Sequence, residues 1–154
     1  MSSFSKLNLK VAIIEDVQPH LNADKLYVLN ILADRSRQLV AGMKPFYTPE
    51  QLKGKHIVIV SNLKPAMLRG IESQGMLLAA QIGNEVKVLE APKSSAGDHV
   101  FVDGETAGAT EITIDEFLLI KMTTKNKKAV FEGLPLKTKK EEISVDIGDN
   151  ATIR

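Results

Sequence analysis

The sequence is poor in the side chains that build covalent, metal and base-stacking sites. Its 154 residues include no cysteine, no tryptophan and only seven other aromatic residues. The absence of cysteine excludes disulfides, thiolate zinc sites and cysteine nucleophiles. The scarcity of aromatic residues leaves little material for the exposed platforms on which single-stranded nucleic acids stack their bases.

Long apolar segments are also missing. No run approaches the roughly 20 residues that cross a bilayer as a helix, and residues 1–6 contain no apolar signal core. We therefore expect a cytoplasmic protein without a membrane partner.

The chain shows no catalytic pattern. Its three histidines, His20, His56 and His99, lie in different segments without metal-ligand spacing, and we predict loop or surface positions for them. No phosphate-binding glycine loop and no nucleophile elbow is present. These observations predict a binding module rather than an enzyme, with no catalytic residue, no metal site and no cofactor.

The net charge of +1 conceals an uneven distribution. Residues 1–75 carry ten Lys or Arg against six Asp or Glu, residues 76–120 carry two against eight, and residues 121–154 carry eight against five. Such a distribution can place one positive face on a nearly neutral protein, although ordinary solvated surface charge gives the same numbers.

Short apolar runs separated by turn residues predict a β-barrel up to about residue 104. Alternation from Leu7 to Ile14 indicates a long, half-buried strand, and Thr48 before Pro49 indicates a short helix. A helix in the middle of five strands is typical of the OB-fold. We predict an all-β fold, in which a five-stranded OB-fold barrel (residues 1–104) carries a small α+β C-terminal extension (residues 105–154) packed on it.

Within the extension, residues 115–125 read as a helix. Acidic residues stand at the front of this apolar segment and lysines at its back, in agreement with the helix dipole. After Gly133 and Pro135 the pattern predicts short strands.

The most informative segment is Asn62–Met76. Proline and glycine interrupt it directly beside its two cations, and a serine and a glutamine follow. Backbone amides, cations and small polar groups together suit an anionic, hydroxyl-rich polymer, and without aromatic platforms the shape of a folded RNA is the favoured target. The candidate RNA contacts, including one cation of an earlier loop, are Lys25, Asn62, Lys64, Arg69, Ser73 and Gln74.

Each candidate also has a purely structural interpretation. Asn62 and Ser73 could satisfy backbone groups of their own loops, and Lys25 could pair with the adjacent Asp24. The two cations of the segment could be ordinary surface charges. The methionines at 67 and 76 are predicted to be core residues.

Three segments together resemble a known family, the tRNA-binding OB domain. Residues 9–27 are similar to its opening strand and H-P-x-A-D-x-L-Y loop, residues 62–76 to its N-L-K-P-x-x-x-R-G-x-x-S-x-G-M signature, and residues 91–100 to its later A-P and G-D-x-V elements. Leu21 replaces the usual proline of the first loop, and Ala41 replaces a common serine. The family occurs as free tRNA-binding proteins and as an appendage of methionyl-, tyrosyl- and some lysyl-tRNA synthetases. Its eukaryotic form is the endothelial-monocyte-activating polypeptide domain.

The resemblance implies a non-catalytic module that grips the outer corner of tRNA. It also implies a higher tRNA affinity for an aminoacyl-tRNA synthetase, in cis or in trans, with a methionyl or tyrosyl enzyme as the first expectation. Residues 131–136 resemble the tail of the eukaryotic type, in which the extension mimics a dimer partner and leaves the protein a monomer. Two alternatives stay open: a released, cytokine-like signalling polypeptide and a docking module of a multi-synthetase complex.

Overall fold

The computed structural model describes residues 3–154 and is mostly β, so the first two residues of the predicted barrel domain lie outside the description. The helical elements are a 3-10 turn at Ser3–Lys6, α1 (Pro49–Leu52) and α2 (Ile114–Leu118). The strands are β1 (Leu9–Pro19), β2 (Tyr27–Leu32), β3 (Ser36–Ala41), β4 (His56–Val60), β5 (Ala66–Leu68), β6 (Ile71–Ser73), β7 (Met76–Leu77), β8 (Ala79–Ile82), β9 (Glu85–Val88), β10 (His99–Val100), β11 (Met122–Lys125), β12 (Lys128–Phe131), β13 (Leu134–Pro135) and β14 (Thr152–Ile153).

Strand β1 organises the barrel. Its first half pairs antiparallel with β4 and β10, and its second half pairs with β2. The register with β2 shifts between Ile14 and Asp16, and a bulge of this kind bends a strand and increases its twist. One long strand therefore takes part in both halves of the barrel.

The barrel sheet has the order β3-β2-β1-β4-β7. Helix α1 lies between β3 and β4 in the chain, and Thr48 begins it with a capping box in which Gln51 is the reciprocal partner. The prediction of an all-β, OB-like barrel is confirmed. Among the helices of residues 3–154, none has the length and apolar character that a bilayer span requires.

Strand β4 is buried on both faces and joins two hydrophobic clusters. Ile57 and Ile59 face the barrel interior, whereas Val58 and Val60 face a second cluster that includes the extension. The unbroken β-branched run of β4 reflects this double burial, because neither face meets water.

The extension shares one sheet and one core with the barrel. Strand β14 pairs with both β11 and β8, which gives the order β13-β12-β11-β14-β8-β9. The rings of Phe4 and Phe131 lie 5.1 Å apart between centroids, tilted by 44°. The extension residues of the shared cluster are Ile112, Phe117, Ile120, Met122, Ala129, Phe131, Leu136, Ile143, Val145, Ile147, Ala151 and Ile153.

The predicted helix over residues 115–125 is wrong in its length. Helix α2 ends at Leu118, and residues 122–125 form strand β11, in which Met122 and Thr124 are buried. Thr113 and Glu116 form a capping box at the start of the helix, and Lys121 Nζ donates a hydrogen bond to the Leu118 carbonyl at 2.9 Å. Pairing of β11 with β12 and β14 supplies the hydrogen bonds that a longer helix would have supplied.

Candidate nucleic-acid interface

The segment Asn62–Met76 leaves the barrel as an arm between β4 and β7. Within it, β5 and β6 form a separate two-stranded hairpin. The hairpin turns at Arg69 and Gly70, with φ of +52° and +87°. Positive φ at both central residues is characteristic of type I′ turns, whose twist matches that of the flanking strands.

Three of the six candidate residues are exposed cations. Within residues 3–154, the side chains of Lys25, Lys64 and Arg69 make no hydrogen bond or ion pair. Lys25 does not pair with Asp24, so that alternative is not realised. Cations that do form ion pairs are Lys10, Arg37, Lys55, Lys127, Lys137 and Lys140. Lys25, Lys64 and Arg69 are therefore available to an external anion.

Two further candidates, Ser73 and Gln74, form a seam that closes the barrel against β3. Ser73 Oγ accepts a hydrogen bond from Val40 N at 2.9 Å and donates one to the Gly75 carbonyl at 3.0 Å. Gln74 Oε1 accepts from Gln38 N at 2.9 Å, while the Gln74 backbone N–H donates to the Gln38 carbonyl at 2.8 Å. The side-chain oxygens of these two residues therefore accept the hydrogen bonds from β3 that the carbonyls of a paired strand would otherwise accept.

Gly75 completes the seam because a side chain does not fit there. Its φ is +144°, and a Cβ would lie 3.2 Å from the Val60 carbonyl oxygen and 3.3 Å from Leu39 Cδ2. Only glycine combines this backbone conformation with such a close approach. The second glycine of the signature is therefore required by the packing of the seam.

The sixth candidate, Asn62, holds the arm to the N-terminal segment and to the start of the extension. Its Nδ2 donates to the carbonyls of Lys6 and Thr110 at 2.8 and 2.9 Å, and its Oδ1 accepts from Asn8 N at 3.0 Å. All polar atoms of this side chain have partners within the protein. RNA contact by the six residues stays a prediction, and the structure divides them into three free cations and three internally bonded polar residues.

A buried arginine below the seam was not identified from the sequence. Arg37 is 8% exposed and donates to the carbonyls of Ser61 and Gln74 at 3.0 and 2.9 Å and to both carboxylate oxygens of Asp34 at 3.1 Å. Partial burial raises the pKa of Asp34, but the hydrogen bonds and charges of Arg37 and Lys10 outweigh it and lower the pKa to about 2. The alternation of Arg37 with buried Leu39 is the sequence signal for this inward position.

His20 is also buried, at 5% exposure, although it lies in the loop before β2. Its Nδ1 accepts a hydrogen bond from Asn22 N at 3.0 Å, which leaves Nε2 as the donor to the Leu68 carbonyl at 3.2 Å. The predicted loop position is correct for this histidine, but its side chain is buried and not at the surface. No periodicity reveals the contact, because the partner is a backbone carbonyl 48 residues away.

Two grooves border the arm and meet at Leu63 and Pro65. One, of about 530 Å³, is lined mainly by aliphatic and methionine side chains, with Lys64 and Arg154 as its cations. The other, of about 390 Å³, is polar and carries both signs of charge, including Arg35 and Glu72. The arm therefore stands between an apolar and a polar recess.

The methionines and aromatics of the chain bear on what these surfaces can bind. Met67 is 64% exposed on the hairpin, against the prediction that it is a core residue, whereas Met76 packs against the core. Of the aromatic residues, Phe4, Tyr27, Phe117 and Phe131 are buried and Tyr47 and Phe101 are half-buried. Among the aromatic residues of the described range 3–154, only Phe46, in the loop before α1, is exposed, at 39%.

The described residues do not form a cluster of metal ligands. Over residues 3–154, no group of three or more His, Cys, Asp or Glu side chains is placed to hold a metal ion. His56 Nδ1 instead lies 2.7 Å from the Ser94 carbonyl, and His99 is an exposed residue of β10.

Sequence comparison matches residues 9–99 to the model of a putative tRNA binding domain. A methionine–tRNA ligase of Thermococcus kodakarensis is 54% identical over 91 residues, which are 58% of this chain and 12% of that protein. A cytoplasmic tyrosine–tRNA ligase of Danio rerio is 38% identical over 141 residues, which are 88% of this chain and 25% of that protein. The chain thus spans only a small fraction of these curated relatives.

Solved structures match either nearly the whole chain or only part of it. The C-terminal domain of Plasmodium vivax p43 is 26% identical, with a TM-score of 0.91 and 98% of both chains covered. A MetRS-related protein of Pyrococcus horikoshii is 31% identical, with a TM-score of 0.58, and covers 62% of this chain and 91% of its own. With more than half of its residues matched by one family model, this chain belongs to the family of putative tRNA binding domains.

Proposed function

We propose that the chain binds tRNA through the outward side of the arm and the neighbouring loop at residues 20–26. The observation that carries this proposal is the pair of exposed, unpaired cations, Lys64 and Arg69, on either side of β5 within the family signature. Unpaired cations on a fixed backbone suit phosphate contacts, which position a nucleic acid without reading its sequence. The tRNA surface we assign to this site is the outer corner.

Lys25, Lys64 and Arg69 are assigned the phosphate contacts. Asn62, Ser73 and Gln74 contribute by holding the arm in place, since their polar atoms already bond within the chain. A contribution of these three to RNA binding is thus indirect, through the position of the hairpin.

Recognition by shape is favoured over recognition by stacking. Binding of single strands without sequence preference uses exposed aromatic side chains on which bases stack, and the one exposed aromatic side chain of residues 3–154 lies in a loop. Contacts to phosphates and 2′-hydroxyls of a folded RNA need no such platform.

The test is equilibrium binding of bulk tRNA at several salt concentrations. We expect log K to fall linearly with log[salt] for the parent chain, and the Lys64→Ala/Arg69→Ala variant to lose about two units of that slope, roughly one per phosphate contact. The matched control is Lys53→Ala/Lys125→Ala, which removes two exposed cations without side-chain partners elsewhere on the surface. Parent-like binding by the arm variant, or an equal loss in the control, would contradict the proposal.

The wider role we propose is to raise the tRNA affinity of an aminoacyl-tRNA synthetase, in cis or in trans. Tethering tRNA near a catalytic body raises its effective concentration there without any new catalytic contact. The lengths of the curated relatives support an appended position, since the matched region is a small part of each ligase. In the same assay series, fusion of the arm variant to a synthetase should leave its KM for tRNA higher than fusion of the parent chain does.

We further propose that the extension takes the place of a dimer partner, with residues 1–104 as the tRNA-binding domain and 105–154 as the mimic. The support is the outer face of β4, where Val58 and Val60 are apolar and are covered by the extension's core residues. A barrel without an extension must cover this face in another way, and a second copy is the simplest cover. Sedimentation equilibrium should show a single-chain mass for the full protein, and a dimer would contradict the mimicry.

A further inference from the structure

His20 touches both of the loops that carry the proposed phosphate contacts. Its backbone N–H donates to the Leu26 carbonyl at 3.0 Å, which closes the 20–26 loop at its base. Its ring Nε2 lies 3.2 Å from the Leu68 carbonyl of the hairpin. Lys25 directly precedes Leu26 and Arg69 directly follows Leu68, so each cation is one residue from a carbonyl bonded to His20.

The hairpin has few other attachments on this side. Strands β5 and β6 pair only with each other among the described strands, and all three residues of β5 are exposed. The seam holds the end of β6, and Gln38 Nε2 donates to the Glu72 carbonyl at 2.8 Å, but these bonds to β3 lie on β6 or after it and do not involve β5. The His20 ring is thus the contact that links the β5 strand to the first loop.

From these contacts we infer that His20 is a positioning residue that fixes the spacing between Lys25 and Arg69 for the anionic backbone of the RNA. The inference rests on the proposed tRNA binding, which gives the fixed spacing its purpose. The link that His20 forms between the two loops, the clamp, is a property of the free protein. A fixed spacing lowers the conformational entropy lost on binding, because the two cations do not need to be brought together by the ligand.

The two ring nitrogens of His20 form different contacts, and substitution by glutamine or asparagine tests each contact separately. In His20→Gln the amide nitrogen stands near the position of Nε2 and can donate to the Leu68 carbonyl, but the contact with Asn22 N is lost. In His20→Asn the amide oxygen stands near the position of Nδ1 and can accept from Asn22 N, but the side chain is too short for Leu68. The first variant keeps the link between the loops, and the second keeps only the order within one loop.

The clamp is tested in the free protein by distances between spin labels. Since the chain has no cysteine, Lys25→Cys and Arg69→Cys introduce the only two labelling sites. We expect one narrow distance distribution in the parent background and in the His20→Gln background, and a broadened distribution with His20→Asn. Equal distributions in the parent and His20→Asn backgrounds, or an equal broadening in both His20 variants, would overturn the clamp.

Binding of bulk tRNA is then measured with unlabelled protein. We expect His20→Asn to weaken binding by up to about tenfold, the upper range for one hydrogen bond between neutral groups, and His20→Gln to restore most of it. Melting temperatures of both variants serve as the folding control. If the parent itself fails to bind tRNA, the proposed function falls while the distance measurement still decides the clamp. If the clamp holds and both variants bind tRNA like the parent, the positioning role is wrong.

Discussion

The hairpin of the arm and the seam at its base belong to one 15-residue segment but use their polar residues in opposite ways. On the hairpin, Arg69 is exposed and has no side-chain partner within residues 3–154, as is also true of Lys64 at its entry. At the seam, Ser73 and Gln74 are bonded to the backbone of β3, and Gly75 packs against Val60 and Leu39. Segment 62–76 therefore contains one part that is free to meet a ligand and one part that completes the fold.

This difference separates two kinds of motif residue. An exposed cation of the arm, Lys64 or Arg69, is expected to matter for binding and little for stability, because its side chain leaves no unpaired partner in residues 3–154 when it is removed. A residue of the seam is expected to matter for stability, because its loss leaves a buried donor or a steric conflict behind. Variants on the two sides should therefore give opposite results in unfolding and in tRNA binding.

The largest effect on stability is expected for Gly75→Ala. The new Cβ would lie 3.2 Å from the Val60 carbonyl oxygen at a φ of +144°, so we expect a loss of about 3 kcal/mol in the free energy of unfolding. Gly70→Ala is the matched control: its φ is also positive, at +87°, but nothing lies within 4 Å of the new Cβ. The cost there should be about 1 kcal/mol, from backbone conformation alone.

Urea denaturation of the two glycine variants measures the difference. An equal loss at both positions would mean that the backbone conformation and not the close approach decides the need for glycine at the seam.

A smaller loss is expected for Ser73→Ala. The backbone N–H of Val40 then has no partner in a buried position, which costs about 2 kcal/mol. Ser36→Ala, at an exposed position of β3 without a side-chain hydrogen bond, should change stability by no more than about 0.5 kcal/mol.

The same Ser73 variant sharpens the functional side of the comparison. Measured below its melting temperature, it should keep the parent's salt dependence of tRNA binding, because no phosphate contact is removed. A slope reduced by about one unit would instead assign Ser73 a direct role at the RNA.

The smallest effect on stability is expected on the hairpin itself. The Lys64→Ala/Arg69→Ala variant proposed for the binding assay should unfold within about 0.5 kcal/mol of the parent, since neither side chain has a partner to lose. A large destabilisation would show that the hairpin, like the seam, is part of the fold.

The sequence predicted the barrel well where local patterns agree with tertiary contacts. The alternation of β1 and the start of α1 at Thr48 and Pro49 each identify an element that the structure contains. The helix over residues 115–125 was wrong, because its apolar side chains fit a strand as well as a helix. Residues 122–125 form a strand and not a helix because β12 and β14 pair with them.

The candidate site was predicted only in part for a related reason. Exposure of Lys64 and Arg69 follows from a hairpin that begins after Pro65 and turns at Gly70. The inward position of Ser73 depends on Val40, 33 residues earlier, whose N–H lacks a strand partner at this point. A serine whose hydroxyl accepts a hydrogen bond from a distant strand and a serine that contacts a phosphate cannot be distinguished by their local sequence.

By itself, the sequence determined the residue types available, the barrel's strands and the family to which the chain belongs, because strand periodicity and motif spacing are local properties. Only the tertiary structure decided which polar residues face outward, that His20 joins two loops and that the extension covers the outer face of β4. The physical reason is that a hydrogen bond or a covered apolar face is a relation between groups far apart in the chain. Composition and spacing fix the groups, but folding chooses their partners.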